Sequence, residues 1–229
     1  MNSEGTKQLR NIFGSADYDE MRPKPLSLIK LLVSVRTDKN STVLDFFAGT
    51  GTTGNAVLQL NNEDGGTRKF ILCTNNENNI CLEVCYPRID KVIRGYKSAD
   101  KKIEGLRGNL KYFKTDFVDA NPTDRNKKKL VDKSTEMLCL KEDCFDKVKK
   151  GHEFKIFKNS QDKHLGIIYE DEGIEEFKKE AKRLRKKFIV YVFSLDESAR
   201  EEEFENIGDL VELKPIPAAI LNVYKRIFK

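Results

Sequence analysis

The chain has no tryptophan, two histidines, six prolines and five cysteines among its 229 residues. Several of these scarcities remove a class of function. Two histidines, His152 and His164, cannot build a histidine-rich metal centre, and Cys81/Cys85 and Cys139/Cys144 are spaced more widely than zinc knuckles. No metal site is expected, and these cysteines read as ordinary buried or surface thiols. An odd cysteine count with irregular spacing argues against a disulfide framework and for reducing conditions. No stretch approaches the roughly 18 to 20 apolar residues that span a bilayer. The start, MNSEGTKQLR, carries no apolar signal core. The expectation is a cytoplasmic protein with no membrane partner. Charge of one sign is also scarce, with 42 Lys+Arg against 37 Asp+Glu and a net charge of +5. The basic clusters at 125–129 and 178–187 alternate with acidic and apolar residues, as solvated helix faces do. The second cluster could instead touch DNA phosphates.

Apolar runs recur from Leu26 to Phe228, which argues for a folded chain. At about 150 residues per domain it is one large domain, or one with a small satellite. Residues 1–24 are polar and mixed, with a turn-like FGSADYDE. PKPLSLIKLLVSV then sets Leu28, Leu31, Leu32 and Val35 at spacings of three and four, predicting an amphipathic helix opened near Pro25. After TDKN, the run Val43–Phe47 reads as a buried strand, the glycines as a tight loop and Thr53–Leu60 as a helix. KFILCTN is a second apolar strand, followed by a helix from about Asn79 to Gly95 with Ile80, Val84, Ile89, Val92 and Ile93 on its apolar side. Strand, glycine loop, helix, strand, helix opens a parallel α/β sheet. LKYFKTDFV at 110–118 is expected as a third strand. From Pro122 the composition shifts. A long helix over 125–148, strands FKIFKN and HLGIIYE, helix IEEFKKEAKRLRKK, strands FIVYVFSL and LVELKPI, and a final helix AAILNVYKRIF predict a small second α/β unit. The expected domains are 1–121 and 122–229.

Gly49, Gly51 and Gly54 spell G-T-G-T-T-G between a predicted strand and a predicted helix. Glycine there lets the backbone turn sharply and approach a ligand closely, at a helix N-terminus that favours negative charge. A phosphate-binding P-loop would need a following Lys-Ser/Thr, which is absent. A dinucleotide dehydrogenase remains open, but its first glycine normally follows an apolar strand directly. Here Asp45 sits at the strand end, followed by Phe46, Phe47 and Ala48. A carboxylate can accept hydrogen bonds from an amine or hydroxyl and would repel pyrophosphate, favouring a cofactor with a cationic or amino-acid end, such as S-adenosylmethionine (AdoMet). A ligand-free strand-to-helix turn is the remaining reading. Glu77 follows the second strand at a distance where an acid can take ribose hydroxyls. It could equally be an exposed loop acid among the cap-forming residues Asn75, Asn76 and Asn78.

VLDFFAGTGTTGNAV resembles the AdoMet-binding motif of the β-type amino-methyltransferases of DNA. KFILCTNNENNICLEVCYPRIDKVIRGY and NSEGTKQLRNIFG…RPKPLSLIKLL are similar, more narrowly, to the modification (Mod) subunit of type III restriction-modification systems. LKYFKTDFV, KSTEMLCLKEDCF, FKIFKN and AILNVYKRIFK resemble the C-terminal region of that subunit. The resemblance implies an α/β fold: part of a Rossmann-like AdoMet-dependent methyltransferase sheet, then a small C-terminal α/β domain. It implies that Lys24 and Pro25 lie near the methionine end of AdoMet. Phe46, Phe47, Gly49, Gly51, Thr52 and Thr53 would wrap the cofactor, next to the candidate acceptor Asp45, and Glu77 would hold its ribose.

The same resemblance makes one absence informative. The catalytic motif of these enzymes is Asp-Pro-Pro-Tyr or a close variant. The adenine N6 lone pair is delocalised into the ring, so an Asp and a backbone carbonyl must accept its protons as it attacks the sulfonium methyl. The aromatic residue stacks on the flipped base. In this chain Pro23, Pro25, Pro87, Pro122, Pro215 and Pro217 are nowhere adjacent, and Asn121-Pro122-Thr123-Asp124 lacks the second proline and the aromatic. No catalytic residue is therefore assigned. The expectation is the C-terminal portion of a DNA adenine-N6 methyltransferase that is inactive alone, or else a non-catalytic remnant that binds AdoMet or a Mod or Res partner. Without the catalytic half, the glycine-loop strand would form an exposed apolar sheet edge. The expected partners are that half or a full-length Mod subunit, the restriction (Res) subunit, a second copy of the chain, and DNA through the complete enzyme.

Overall fold

A computed structural model describes residues 4–14, 18, 20–98, 101–193 and 200–228. Part of the turn-like FGSADYDE and the end of FIVYVFSL fall outside the described residues. The chain is mixed α/β and divides into two compact units, Met1–Lys114 and Thr115–Lys229. Among the described residues, no helix is long and apolar enough to cross a membrane.

The first unit is built on two parallel strands, β1 (Thr42–Asp45) and β2 (Lys69–Leu72), paired from Thr42↔Lys69 to Asp45↔Leu72. Helices α1 (Glu4–Phe13) and α2 (Leu26–Arg36) precede them, and α3 (Thr52–Asp64) joins them. After β2 come a 3-10 turn at Glu77–Asn79, a π-helical turn at Cys81–Cys85, α4 (Tyr86–Arg94) and the hairpin β3 (Gly95–Ser98)/β4 (Lys101–Glu104). Helix α3 is the hub. Its Val57 and Leu60 pack with Val33 of α2, and Leu58 packs with Ile12 of α1 and Ile89 and Val92 of α4. Each such aliphatic burial stabilises by roughly 1.5–3 kcal/mol. The Glu4 carboxylate of α1 caps α2, accepting from the Ser27 amide at 3.0 Å and hydroxyl at 2.6 Å.

Several sequence expectations change here. The helix after Pro25 exists, but its buried residues are Leu26 and Val33. Leu31 and Val35 are 59% and 69% exposed, and Leu28 and Leu32 are exposed as well. The side facing α3 is the covered one, so the leucine stripe points outward. The glycine-loop strand is shorter than Val43–Phe47, and its residues alternate between exposed and half-buried rather than buried. It has β2 on one edge and no partner among the described residues on the other. Residues 110–118 form no strand. Side chains hold that stretch instead, with Leu110 packed beside the Ile12–Ile89 cluster and the Tyr112 ring edge-on to Tyr86 at 5.5 Å.

The second unit is a five-stranded sheet in the order β5 (Asp146–Lys150), β6 (Phe154–Lys158), β7 (His164–Ile168), β8 (Phe188–Val192), β9 (Val211–Lys214). The first three strands pair antiparallel and the last three parallel. Strand β7 is buried along its whole length, as a central strand covered on both faces should be. One face packs Phe154, Ile156, Phe188 and Val190 with Phe177 of α6 (Gly173–Leu184). The other packs Phe157, Leu165, Ile167 and Tyr191 with Leu138 of α5 (Asp124–Glu142) and Ile220 of α8 (Ala218–Phe228). The short helix α7 (Glu201–Phe204) leads to β9 through a 3-10 stretch. Helix α5 opens on a Thr123 cap, whose hydroxyl accepts from the Asn126 amide at 3.2 Å. It stops at Glu142, and 146–148, expected as the helix end, belongs instead to an exposed lysine-rich edge strand over 146–150. An edge strand needs no apolar alternation, and its lysines oppose further pairing.

Glu142 closes the second core. It accepts from the Tyr191 hydroxyl at 2.6 Å and from Lys163 Nζ at 2.8 Å. Burial pushes its pKa up, but the hydrogen bonds from Lys163 and Tyr191 outweigh that and leave it below the ordinary range. A depressed carboxylate pKa contributes stability that is present at neutral pH and lost as pH falls through the folded value. Glu142→Gln should therefore be less stable at neutral pH and lose less on acidification. Urea midpoints measured at several pH values between about 7 and 3 check this.

Candidate functional site

Because β1 and β2 are parallel and end opposite each other at Asp45↔Leu72, the loops that follow them leave the same end of the pair. The first is the glycine loop and the second carries Glu77. Backbone bonds stitch the two together: the Ala48 amide donates to the Cys73 carbonyl at 3.0 Å, and the Cys73 amide donates to the Asp45 carbonyl at 2.8 Å.

Asp45 organises the loop. One carboxylate oxygen accepts from the Phe47 amide at 3.0 Å and the other from the Thr53 hydroxyl at 2.6 Å. Each oxygen keeps a further lone-pair direction, so a ligand amine or hydroxyl could still be accepted. Gly49 and Gly51 adopt φ of 50° and 76°. A Cβ on Gly51 would lie 3.0 Å from the Cys85 sulfur and 3.3 Å from its carbonyl oxygen, so glycine is required there by both conformation and space. Phe46 and Phe47 project from the loop, 64% and 93% exposed. Thr53 binds Asp45, whereas Thr52 is buried and turns inward, its hydroxyl accepting from Arg88 at 2.9 Å.

Glu77 is exposed, with its amide on the Asn75 side chain at 3.2 Å. The asparagines around it serve the backbone: Asn76, Asn78 and Asn79 have φ of 56°, 50° and 59°, the left-handed region asparagine tolerates best after glycine. Lys24 is exposed, and Pro25 is the cap residue of α2. The Pro23–Lys24 backbone lies against α1 so closely that a Cβ on Gly5 would sit 2.2 Å from the Pro23 carbonyl oxygen. The same helix reaches the glycine loop through Gln8, which accepts from Arg88 at 2.7 Å. The two loops therefore meet directly, and the Lys24–Pro25 segment joins them through α1. Sequence reasoning missed α1, Gln8 and Arg88. The spacing of Leu9 and Ile12, both fully buried, was the available signal for α1. Burial pushes the Cys85 thiol up to about 12, aided by Cys81, so it is no nucleophile. No cluster of metal-ligating side chains occurs among the described residues.

Residues 4–84, which contain α1, Lys24–Pro25, the glycine loop and Glu77, match the family model for DNA methylase. The likeness to DNA methylases read from the motifs is borne out. The chain is 45% identical over 97 residues to the StyLTI Mod subunit of a type III restriction-modification enzyme from Salmonella typhimurium. It is 47% identical over 75 residues to the EcoPI Mod subunit of Escherichia phage P1, also type III. It is 36% identical over 115 residues to the type II methyltransferase M.KpnI of Klebsiella pneumoniae. These matches cover 41%, 33% and 50% of this chain but only 15%, 11% and 25% of the relatives. The chain thus spans a small part of the length of the relatives it matches.

Proposed function

We propose that the chain supplies the AdoMet site of a DNA adenine-N6 methyltransferase of the type III restriction-modification kind, as part of a Rossmann-like sheet whose other strands it does not contain. The observation that carries this is the glycine loop itself. It leaves a parallel strand, is clamped by Asp45, opens α3 and stands beside the loop of Glu77. In this reading Asp45 and the loop amides receive the amino-acid end of AdoMet, near Lys24 and Pro25. Phe46 and Phe47 cover the cofactor, the Gly49–Gly51 backbone approaches it, Thr53 holds Asp45, and Glu77 takes the ribose hydroxyls. Thr52 supports the loop from below. AdoMet supplies the methyl group.

Methyl transfer to DNA then requires a polypeptide with the missing proton-accepting and base-stacking residues, and this chain alone is inactive. That polypeptide pairs with the free edge of β1 and covers Leu28, Leu31, Leu32 and Val35 of α2. The second unit, 122–229 with its linker, serves assembly with Mod or Res subunits or with a second copy. Calorimetric titration tests the cofactor site. AdoMet should bind more tightly than NAD, and Asp45→Ala should weaken AdoMet by about 10- to 100-fold, the loss of one or two hydrogen bonds to a charged group. Tighter binding of NAD would favour a dinucleotide site instead.

A further inference from the structure

Arg88 is completely buried, yet no carboxylate pairs with it among the described residues. One terminal nitrogen donates to the Thr50 carbonyl at 3.2 Å, the Thr50 hydroxyl at 3.3 Å and the Thr52 hydroxyl at 2.9 Å. The other donates to Gln8 Oε1 at 2.7 Å. Among the described residues its Nε has no partner, and neither does the buried Oδ1 of Asn55 in the first turn of α3. Buried charges are normally paired because desolvation is costly, and a cation held only by neutral acceptors needs a reason. Burial pulls its pKa down to about 10, so it stays charged at neutral pH. The position supplies the reason. The guanidinium lies beneath the loop at the N-terminus of α3, whose dipole already favours negative charge, and a buried charge is weakly screened by salt.

We propose that Arg88 is a positioning residue of the glycine loop, tying it to α1 and lending it positive charge that favours the carboxylate of an amino-acid-bearing cofactor. The charge half of this proposal rests on the AdoMet reading, and the tie half does not. Arg88 lies beyond the matched span 4–84. Its fork links the two cofactor-side segments, because Gln8 belongs to the helix on which Pro23 and Lys24 rest.

The test uses the full chain with Arg88→Met, Arg88→Lys and Gln8→Glu, read by AdoMet titration and by amide hydrogen exchange over 49–55. Arg88→Met should weaken AdoMet at least tenfold and speed exchange in the loop, while Arg88→Lys recovers part of both. Gln8→Glu gives the guanidinium a carboxylate, so it should keep the loop protected but weaken AdoMet several-fold. A purely structural arginine would show the reverse, with Gln8→Glu binding as tightly as the wild type, and that result overturns the charge role. Unchanged loop exchange in Arg88→Met overturns the tie. Should Arg88→Met fail to fold, Gln8→Glu and Arg88→Lys decide, since both keep the cation. Wild-type chain that binds no AdoMet overturns the charge role together with the cofactor reading, and loop exchange still judges the tie.

Discussion

Gly51→Val should cost the first unit about 3 kcal/mol or more and abolish AdoMet binding. Left-handed backbone alone costs a side-chain-bearing residue roughly 1–2 kcal/mol, and β-branching adds to that. Gly51 sits at φ 76°, and its new Cβ would meet the Cys85 sulfur at 3.0 Å and the Cys85 carbonyl oxygen at 3.3 Å. The carbonyl belongs to a π-helical turn, so rotating the Cys85 thiol would relieve only part of the crowding. At about 4–8 °C per kcal/mol for a unit of this size, the melting temperature should fall by roughly 12 °C or more. Gly65 is the control. It has a similar φ of 68° but nothing within 4 Å of its would-be Cβ. Gly65→Ala should therefore cost only the conformational part, about 1 kcal/mol, and leave AdoMet binding intact. Melting curves and titrations of both variants separate clash from conformation.

The second large effect concerns association. Among the described residues strand β1 has one unpaired edge, and α2 turns out a row of leucines and a valine. Apolar patches above a few hundred Å² seldom remain uncovered in soluble monomers, and an open strand edge invites pairing. The purified chain should self-associate. Leu31→Glu with Val35→Glu should shift it strongly toward monomer and raise its solubility several-fold, because both side chains lie on the outward face of α2. Helix content should not change, since glutamate is a good helix former. Light scattering across a concentration series reads this out. A monodisperse wild-type monomer would contradict it.

What could be read in the sequence was what local rules dictate. The strand–glycine–helix turn at 45–54 and the apolar central strands of the second unit follow from side-chain size and local composition. The likeness to DNA methylases followed from motif. Three features escaped because they depend on partners outside their own segment. The direction of the α2 stripe depends on which face α3 covers. The strand at 146–150 has no apolar pattern and is held by pairing with Phe154–Lys158. Arg88 went unnoticed because its contact with Gln8 lies eighty positions away in the chain. The expected strand at 110–118 failed for the opposite reason, since weak alternation cannot make a strand where no backbone edge receives it.

The central claim is that this chain holds the cofactor but not the residues that accept the protons of the adenine amine. The most direct test is transfer of a radiolabelled methyl group from AdoMet to duplex DNA. The chain would be assayed alone and after mixing with a polypeptide carrying the Asp-Pro-Pro-Tyr region of a Mod subunit. The chain alone should bind AdoMet and transfer nothing, and the mixture should methylate adenine N6. Methylation by the chain alone, or AdoMet bound only by the added polypeptide, would contradict the account.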